Sequence, residues 1–126
     1  MNCDKLSIYS TDLMNLIIKI IGKHGKVVDG RLEYSGKAIL IEDNYGTRFW
    51  LRVMYYNDKI KVDFSTVELK NALRRKGVFS EICEMVKEKD YIESAVISNV
   101  CTHEMYNFCV KNGFELNKMM NSYKIK

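Results

Sequence analysis

The chain has no proline, only two histidines and a single tryptophan among 126 residues. The missing proline has no structural account of its own and accompanies a plentiful supply of Lys, Asn, Ile and Tyr. The cysteines, Cys3, Cys83, Cys101 and Cys109, form no CxxC pair, so they read as reduced thiols of a cytoplasmic protein. Cys101, His103 and Cys109 invite a zinc reading, but a structural site needs four ligands and no fourth is spaced to help. No metal is expected. Long apolar runs are also missing. The longest, residues 16–21, is interrupted by Lys19, whereas a bilayer span needs about 20 residues. Met1-Asn2-Cys3-Asp4-Lys5 lacks the basic-then-apolar pattern of a secretory leader. A cytoplasmic location without membrane contact is the expectation. No block of like charge and no low-complexity stretch marks a disordered tail.

What is present is ordinary for a globular chain, with 47% hydrophobic and 29% charged residues. One domain, 1–126, is large enough to bury about two-thirds of its unfolded surface. The net charge of +4, from 20 basic and 16 acidic residues, suits an anionic ligand. It falls short of the dense basic footprint of a DNA binder.

Ser10-Thr11-Asp12 supplies cap-type side chains before an apolar pattern, which predicts a helix start there. Met14, Ile17, Ile18 and Ile21 form its core-facing stripe and Gly22 its stop. Residues 27–34 predict a short strand, broken at Asp29-Gly30, and Ser35-Gly36 a turn. Strands follow at 37–43, 47–56 and 59–69, separated by turns at Asn44-Tyr45-Gly46 and Asn57-Asp58. Residues 27–69 thus predict an antiparallel meander, in which Trp50, Tyr55 and Tyr56 pack the sheet. The second half alternates. A helix presents Val78, Ile82, Met85 and Val86, and a strand covers 91–100. Thr102 caps a helix to Asn112, Gly113 ends it, and short strands lie at 114–116 and 121–125. His24 is expected in a surface loop, and His103 in an exposed first helical turn. The fold class is α/β (α+β): one domain with a mixed central sheet, an antiparallel N-terminal meander and flanking helices.

Arg74-Arg75-Lys76-Gly77-Val78-Phe79-Ser80 is the most informative stretch. It joins a strand to a helix. A helix N-terminus offers unpaired N–H groups and partial positive charge. A glycine turn lets successive N–H groups converge on an anion, and arginine adds charge-assisted hydrogen bonds. The pattern predicts a phosphate-bearing ligand held at residues 74–80.

Element order and two motifs resemble the GNAT superfamily of acyl-CoA-dependent N-acyltransferases. The first motif is the family's Arg/Gln-x-x-Gly-x-Gly/Ala turn, matched here at Arg74 and Gly77, with Phe79 where a small residue is usual. The second is an aromatic-rich helix closing in Gly-Phe, here Tyr106-Asn107-Phe108-Cys109-Val110-Lys111-Asn112-Gly113-Phe114. The motifs cover roughly residues 60–116. The resemblance implies that acetyl-CoA, or another acyl-CoA, is the acyl donor. Its pantetheine arm would lie where the strand before the turn splays from its neighbour, bonded by backbone near Val67, Glu68 and Leu69. Backbone N–H groups of residues 75–80 (Arg75, Lys76, Gly77, Val78, Phe79, Ser80) would hold the pyrophosphate, with Arg74 beside them and Asn99 nearby, since Thr102 replaces the asparagine usual at the next helix start. The implied reaction is direct attack of a primary amine on the thioester in a ternary complex.

For that chemistry Glu68 is the first candidate base, with Glu42 and Asp43 as runners-up. The tyrosine that the family places four residues before the closing glycine is Cys109 here. Cys109 or Tyr106, one helical turn away, is the candidate acid for the leaving thiolate. The acceptor is an amine-bearing small molecule or protein, and the meander edges leave room for a homodimer. An alternative is a catalytically degenerate GNAT-like protein that binds CoA, a protein partner or nucleic acid without turnover. A third reading, aromatic residues of the meander stacking single-stranded bases, is disfavoured by the even charge.

Overall fold

The computed structural model describes residues 2–25, 29–43, 46–69 and 77–126, with side chains from Lys5 onward. Helix α1, Asn2–Gly22, buries Leu6, Leu13, Ile17, Ile20 and Ile21, a helical spacing that forms one apolar stripe. It begins well before the expected start at Ser10-Thr11-Asp12. Ser10 is a buried mid-helix residue whose Oγ donates to the Gly36 carbonyl at 2.7 Å. Asp12 accepts from the Tyr91 hydroxyl at 2.6 Å. Both polar side chains tie the helix to the rest of the fold instead of capping it.

Four strands follow, β1 Asp29–Glu33, β2 Ala38–Glu42, β3 Arg48–Tyr56 and β4 Lys59–Glu68, each antiparallel to the next. Asp29 and Gly30, expected to break β1, are its first two residues. The expected strand start at 27–28 and the turn residues 44 and 45 lie outside the described residues. Asn57 and Asp58 both have positive φ, 50° and 64°, which makes the β3–β4 connection the two-residue turn whose twist suits a hairpin. In the β1–β2 turn, Gly36 has φ 89°, and a Cβ there would meet the Ser7 Cα at 3.2 Å. Only glycine fits both the backbone angle and the close approach of α1.

The chain then alternates through α2 Val78–Glu88, β5 Ile92–Ser98, α3 His103–Lys111, β6 Glu115–Asn117 and β7 Ser122–Lys124. The seven strands form one sheet in the order β1-β2-β3-β4-β5-β7-β6. Only β4 and β5 pair in parallel; the other neighbours are antiparallel. The described residues therefore form a mixed α/β fold with a seven-stranded mixed sheet and three helices.

Alternation along β3 decides which side is core. Phe49, Leu51 and Val53 are buried, while Trp50, Arg52, Met54 and Tyr56 are exposed. Ile39 and Ile41 of β2, Ile60, Val62 and Phe64 of β4 and Ala95 and Ile97 of β5 join the buried side, where α1 and α2 pack with Val78, Phe79, Ile82, Cys83 and Val86. Helix α3 lies on this side as well, because the Phe108 and Phe79 rings meet at 5.1 Å between centroids. Among the described residues, no helix covers the opposite face. Trp50 and Tyr56, expected to pack the sheet, lie on this open face, where Arg52 and Lys61 approach their rings. Tyr55 alone of the three points inward, half-buried, and its hydroxyl donates to Asp58 at 2.6 Å.

His24 is also less free than expected. It sits at the end of α1 with Nε2 3.6 Å from Glu81 Oε1 on α2, beside the Lys23 Nζ to Glu81 bond of 2.6 Å. His103 is exposed at the start of α3.

Candidate functional site

The parallel pair β4–β5 runs from Ile60↔Ile92 to Phe64↔Ile97, with a register shift between Ile60 and Lys61, and goes no further. Two local features open it there. Trp50 pairs with Thr66 but Leu51 pairs with Phe64, so Ser65 is the extra residue of a β-bulge, and bulges bend a strand and raise its twist. On the other side, β5 ends at Ser98, whose partner is Ser122 of β7. Asn99 follows in the left-handed region, φ 53°. Its side-chain amide donates to the Ser65 carbonyl at 3.3 Å, and Ser98 Oγ donates to Asp63 Oδ1 at 2.7 Å. These two bonds hold the apex of the divergence. Beyond it, Thr66, Val67 and Glu68 remain paired with β3 and have no partner in β5. A notch therefore opens toward the carboxyl ends of β4 and β5.

Helix α2 enters above that notch. The Phe79 ring lies edge-on to Phe64 at 5.5 Å and to Phe49 at 6.1 Å, which seats the first turn of α2 over the last residue of β4 still paired with β5. Gly77 is the N-cap, with φ 74° and no side-chain cap bond. A Cβ on Gly77 would meet nothing within 4 Å, so the backbone angle, not crowding, calls for glycine. The N–H groups of Val78, Phe79 and Ser80 occupy the turn in which a helix has no internal acceptors.

The candidate cofactor residues fall into three groups. Val67, Glu68, Gly77, Val78, Phe79, Ser80 and Asn99 gather at the notch end of the sheet. Leu69 is half-buried against the core beside them. Arg74, Arg75 and Lys76, the basic part of the motif, lie outside the described residues. The side chains of Val78 and Phe79 are buried in the core, which leaves only their backbone to face a ligand.

The candidate proton carriers lie on opposite sides of the sheet. Glu68 is exposed, and Arg48 is in register with it on one side and with Glu42 on the other. Both carboxylates thus share the open face, with Arg48 between them. Glu42 also lies 3.8 Å from Arg31. Asp43 Oδ1 accepts from the Thr47 N–H at 3.0 Å and closes the base of the β2–β3 turn. Tyr106 projects from α3 on the helical side and is 48% exposed. Cys109 is fully buried, and desolvation pushes its thiol up to about 11. It stays protonated at neutral pH and packs with the core. Tyr123 of β7 was missed by sequence reasoning. Burial pushes its hydroxyl up, with Tyr106 and Cys109 as the neighbouring acidic groups. Only the β5–β7 pairing of Ile97 with Tyr123 brings it there, and that long-range contact has no local signal.

Among the described residues, no three His, Cys, Asp or Glu side chains gather as a metal site requires. Among the described residues, no helix is long and apolar enough to cross a membrane. No family model, curated protein or solved structure matches this chain.

Proposed function

We propose that this protein is an acyl-CoA-dependent N-acyltransferase of the GNAT type, acting on a primary amine. The observation that carries the reading is the bulged divergence of the parallel pair β4–β5 directly below an uncapped glycine helix start. An open strand edge offers backbone donors and acceptors to an amide-bearing arm. The first turn of α2 offers N–H groups and a favourable dipole to phosphate. A CoA ester carries both groups, and its thioester would supply the electrophilic carbonyl.

In this reading Val67 and Glu68 backbone groups hold the arm, and the N–H groups of Val78, Phe79 and Ser80 hold the diphosphate with Arg74, Arg75 and Lys76. The Glu68 carboxylate takes a proton from the acceptor ammonium on the open face. The Tyr106 hydroxyl returns a proton to the departing thiolate from the helical side. Cys109 takes no part, because its thiol is enclosed and held protonated by burial.

That same enclosed thiol favours a second reading, in which the chain binds CoA without turnover. Release of free CoA from acetyl-CoA in the presence of a panel of primary amines separates the two. Turnover with at least one amine is expected, falling by about 10²–10⁴-fold in Glu68→Gln or Tyr106→Phe. Cofactor binding with no release for any amine would leave the second reading standing. Release that both substitutions leave unchanged would remove these residues from the mechanism.

A further inference from the structure

Among the described residues no helix covers the sheet face opposite α1, α2 and α3, and that face is not featureless. Cross-strand register places Trp50, Arg52, Met54 and Tyr56 of β3 in one row, with Lys59, Lys61, Asp63 and Thr66 of β4 beside them. Trp50, Met54 and Tyr56 are 37%, 61% and 50% exposed. The Arg52 guanidinium lies 5.5 Å from the Trp50 ring centroid, and Lys61 Nζ lies 4.5 Å from that of Tyr56. Among the described residues, Arg52, Lys59 and Lys61 form no ion pair. The carboxylate in register with Arg52, Asp63, is engaged by Ser98.

Lys61 and Asp63 pair onward with Ser94 and Val96 of β5. Those residues open a cleft of about 510 Å3 that is also lined by Glu115, Asn117, Lys118, Lys124 and Lys126. The face therefore combines aromatic surfaces and unpaired cations with a cleft in which three lysines outnumber one glutamate, while the carboxylates of Glu42 and Glu68 lie toward its notch end beside Arg48.

We propose that this face binds single-stranded nucleic acid, the reading that the even overall charge disfavours, because the fold sets unpaired cations locally beside the aromatic row. Its bases would stack on Trp50 and Tyr56, and its phosphates would be met by Arg52, Lys59 and Lys61. Stacking on aromatic rings with cations along the backbone is the chemistry by which such strands are held without base-specific readout. From Trp50 to Tyr56 the strand runs ~20 Å, the length of about six stacked bases. A duplex keeps its base faces covered and has none to offer. A second copy of this chain fits poorly, because a two-fold contact would set the unpaired cations of one face against those of the other. An acidic peptide would answer the charge but leave the rings unused. The site does not depend on the CoA notch and stands or falls separately from it.

The test is titration of the protein with single strands of about 12 nucleotides, oligo-uridine and oligo-thymidine in parallel. The readouts are the anisotropy of the labelled strand and the fluorescence of Trp50, the chain's one tryptophan. Saturable binding that quenches Trp50 is expected. Three cation–phosphate contacts predict an affinity loss of about 20-fold between roughly 50 and 200 mM salt. Trp50→Ala should weaken binding about tenfold or more, Trp50→Phe should largely restore it, and Arg52→Glu should abolish it. Preference for the uridine or the thymidine strand would say whether RNA or DNA is the better ligand. No binding at low salt, binding indifferent to Trp50→Ala and Arg52→Glu, equal binding of a duplex, or binding instead to an acidic peptide or anionic vesicles would overturn the proposal. So would self-association abolished by Trp50→Ala. Thermal unfolding of each variant at the wild-type temperature would show that these exposed substitutions leave the fold intact.

Discussion

Phe79 stands where the resembled turn usually has a small residue, and the structure shows what the large one does. Its ring packs among Phe49, Phe64 and Phe108, so its bulk is spent in the core and only its N–H remains at the helix start. A glycine turn at Gly77 was readable from the sequence; the inward turn of the phenylalanine was not, because it depends on contacts from three separate elements. Cysteine behaviour follows the same division. Cys83 and Cys109 are buried, and desolvation pushes their thiols up to about 12 and about 11, whereas Cys101 is exposed. Thiolate is the reactive form. Alkylation of the native protein followed by peptide mapping should label Cys101 and spare Cys83 and Cys109, with both modified only after denaturation. Native labelling of Cys109 at a rate comparable with Cys101 would mean that its pocket opens, and would return it to the list of proton donors.

At the level of elements, the β3–β4 hairpin and the start of α3 are legible because each boundary has a local cause. Asn57-Asp58 sets the β3–β4 turn, and Thr102 accepts from the Met105 N–H at 3.1 Å. The start of α1 is not legible in this way. Ser10 looks like a cap, yet its hydroxyl is used for a tertiary bond. The Ser65 bulge is equally silent, since a bulge is a property of two paired strands.

Some of the ties between α1 and its neighbours are ionic. The Lys23 bond, with a smaller contribution from His24, holds the Glu81 carboxyl below its ordinary value of 4.5. The Tyr55 hydroxyl and Lys5 do the same for Asp58. A carboxyl depressed in the folded state contributes stability above its ordinary range and loses it as pH falls through the folded value. Melting temperature should therefore decline as pH is lowered through the carboxylate range. Glu81→Gln should flatten that decline, with a cost at neutral pH below ~1 kcal/mol, as for pairs open to water. An acid limb identical in the variant would remove Glu81 from the account.

Across the whole molecule, the sheet separates two surfaces with different chemistry. One side is a helix-covered core. The other, open among the described residues, carries aromatic and basic side chains together with the carboxylates of Glu42, Asp63 and Glu68, and the β4–β5 notch opens at the end of the sheet between the two sides. Strand order and the single parallel pair follow from element order and were foreseeable as a class. The uncovered face was not, because period-two alternation in 47–56 says that one side is apolar but does not say that the other side lacks a helix. The CoA reading rests on the notch and on the glycine helix start, and one equilibrium measurement bears on both. It is thermal unfolding with and without acetyl-CoA, for the wild type and for Arg74→Ala/Lys76→Ala. At about 100 times its dissociation constant, a ligand bound only by the native state adds about 2.7 kcal/mol. The account predicts a rise of several degrees that the double substitution removes. Wild-type melting unmoved by saturating acetyl-CoA would contradict it.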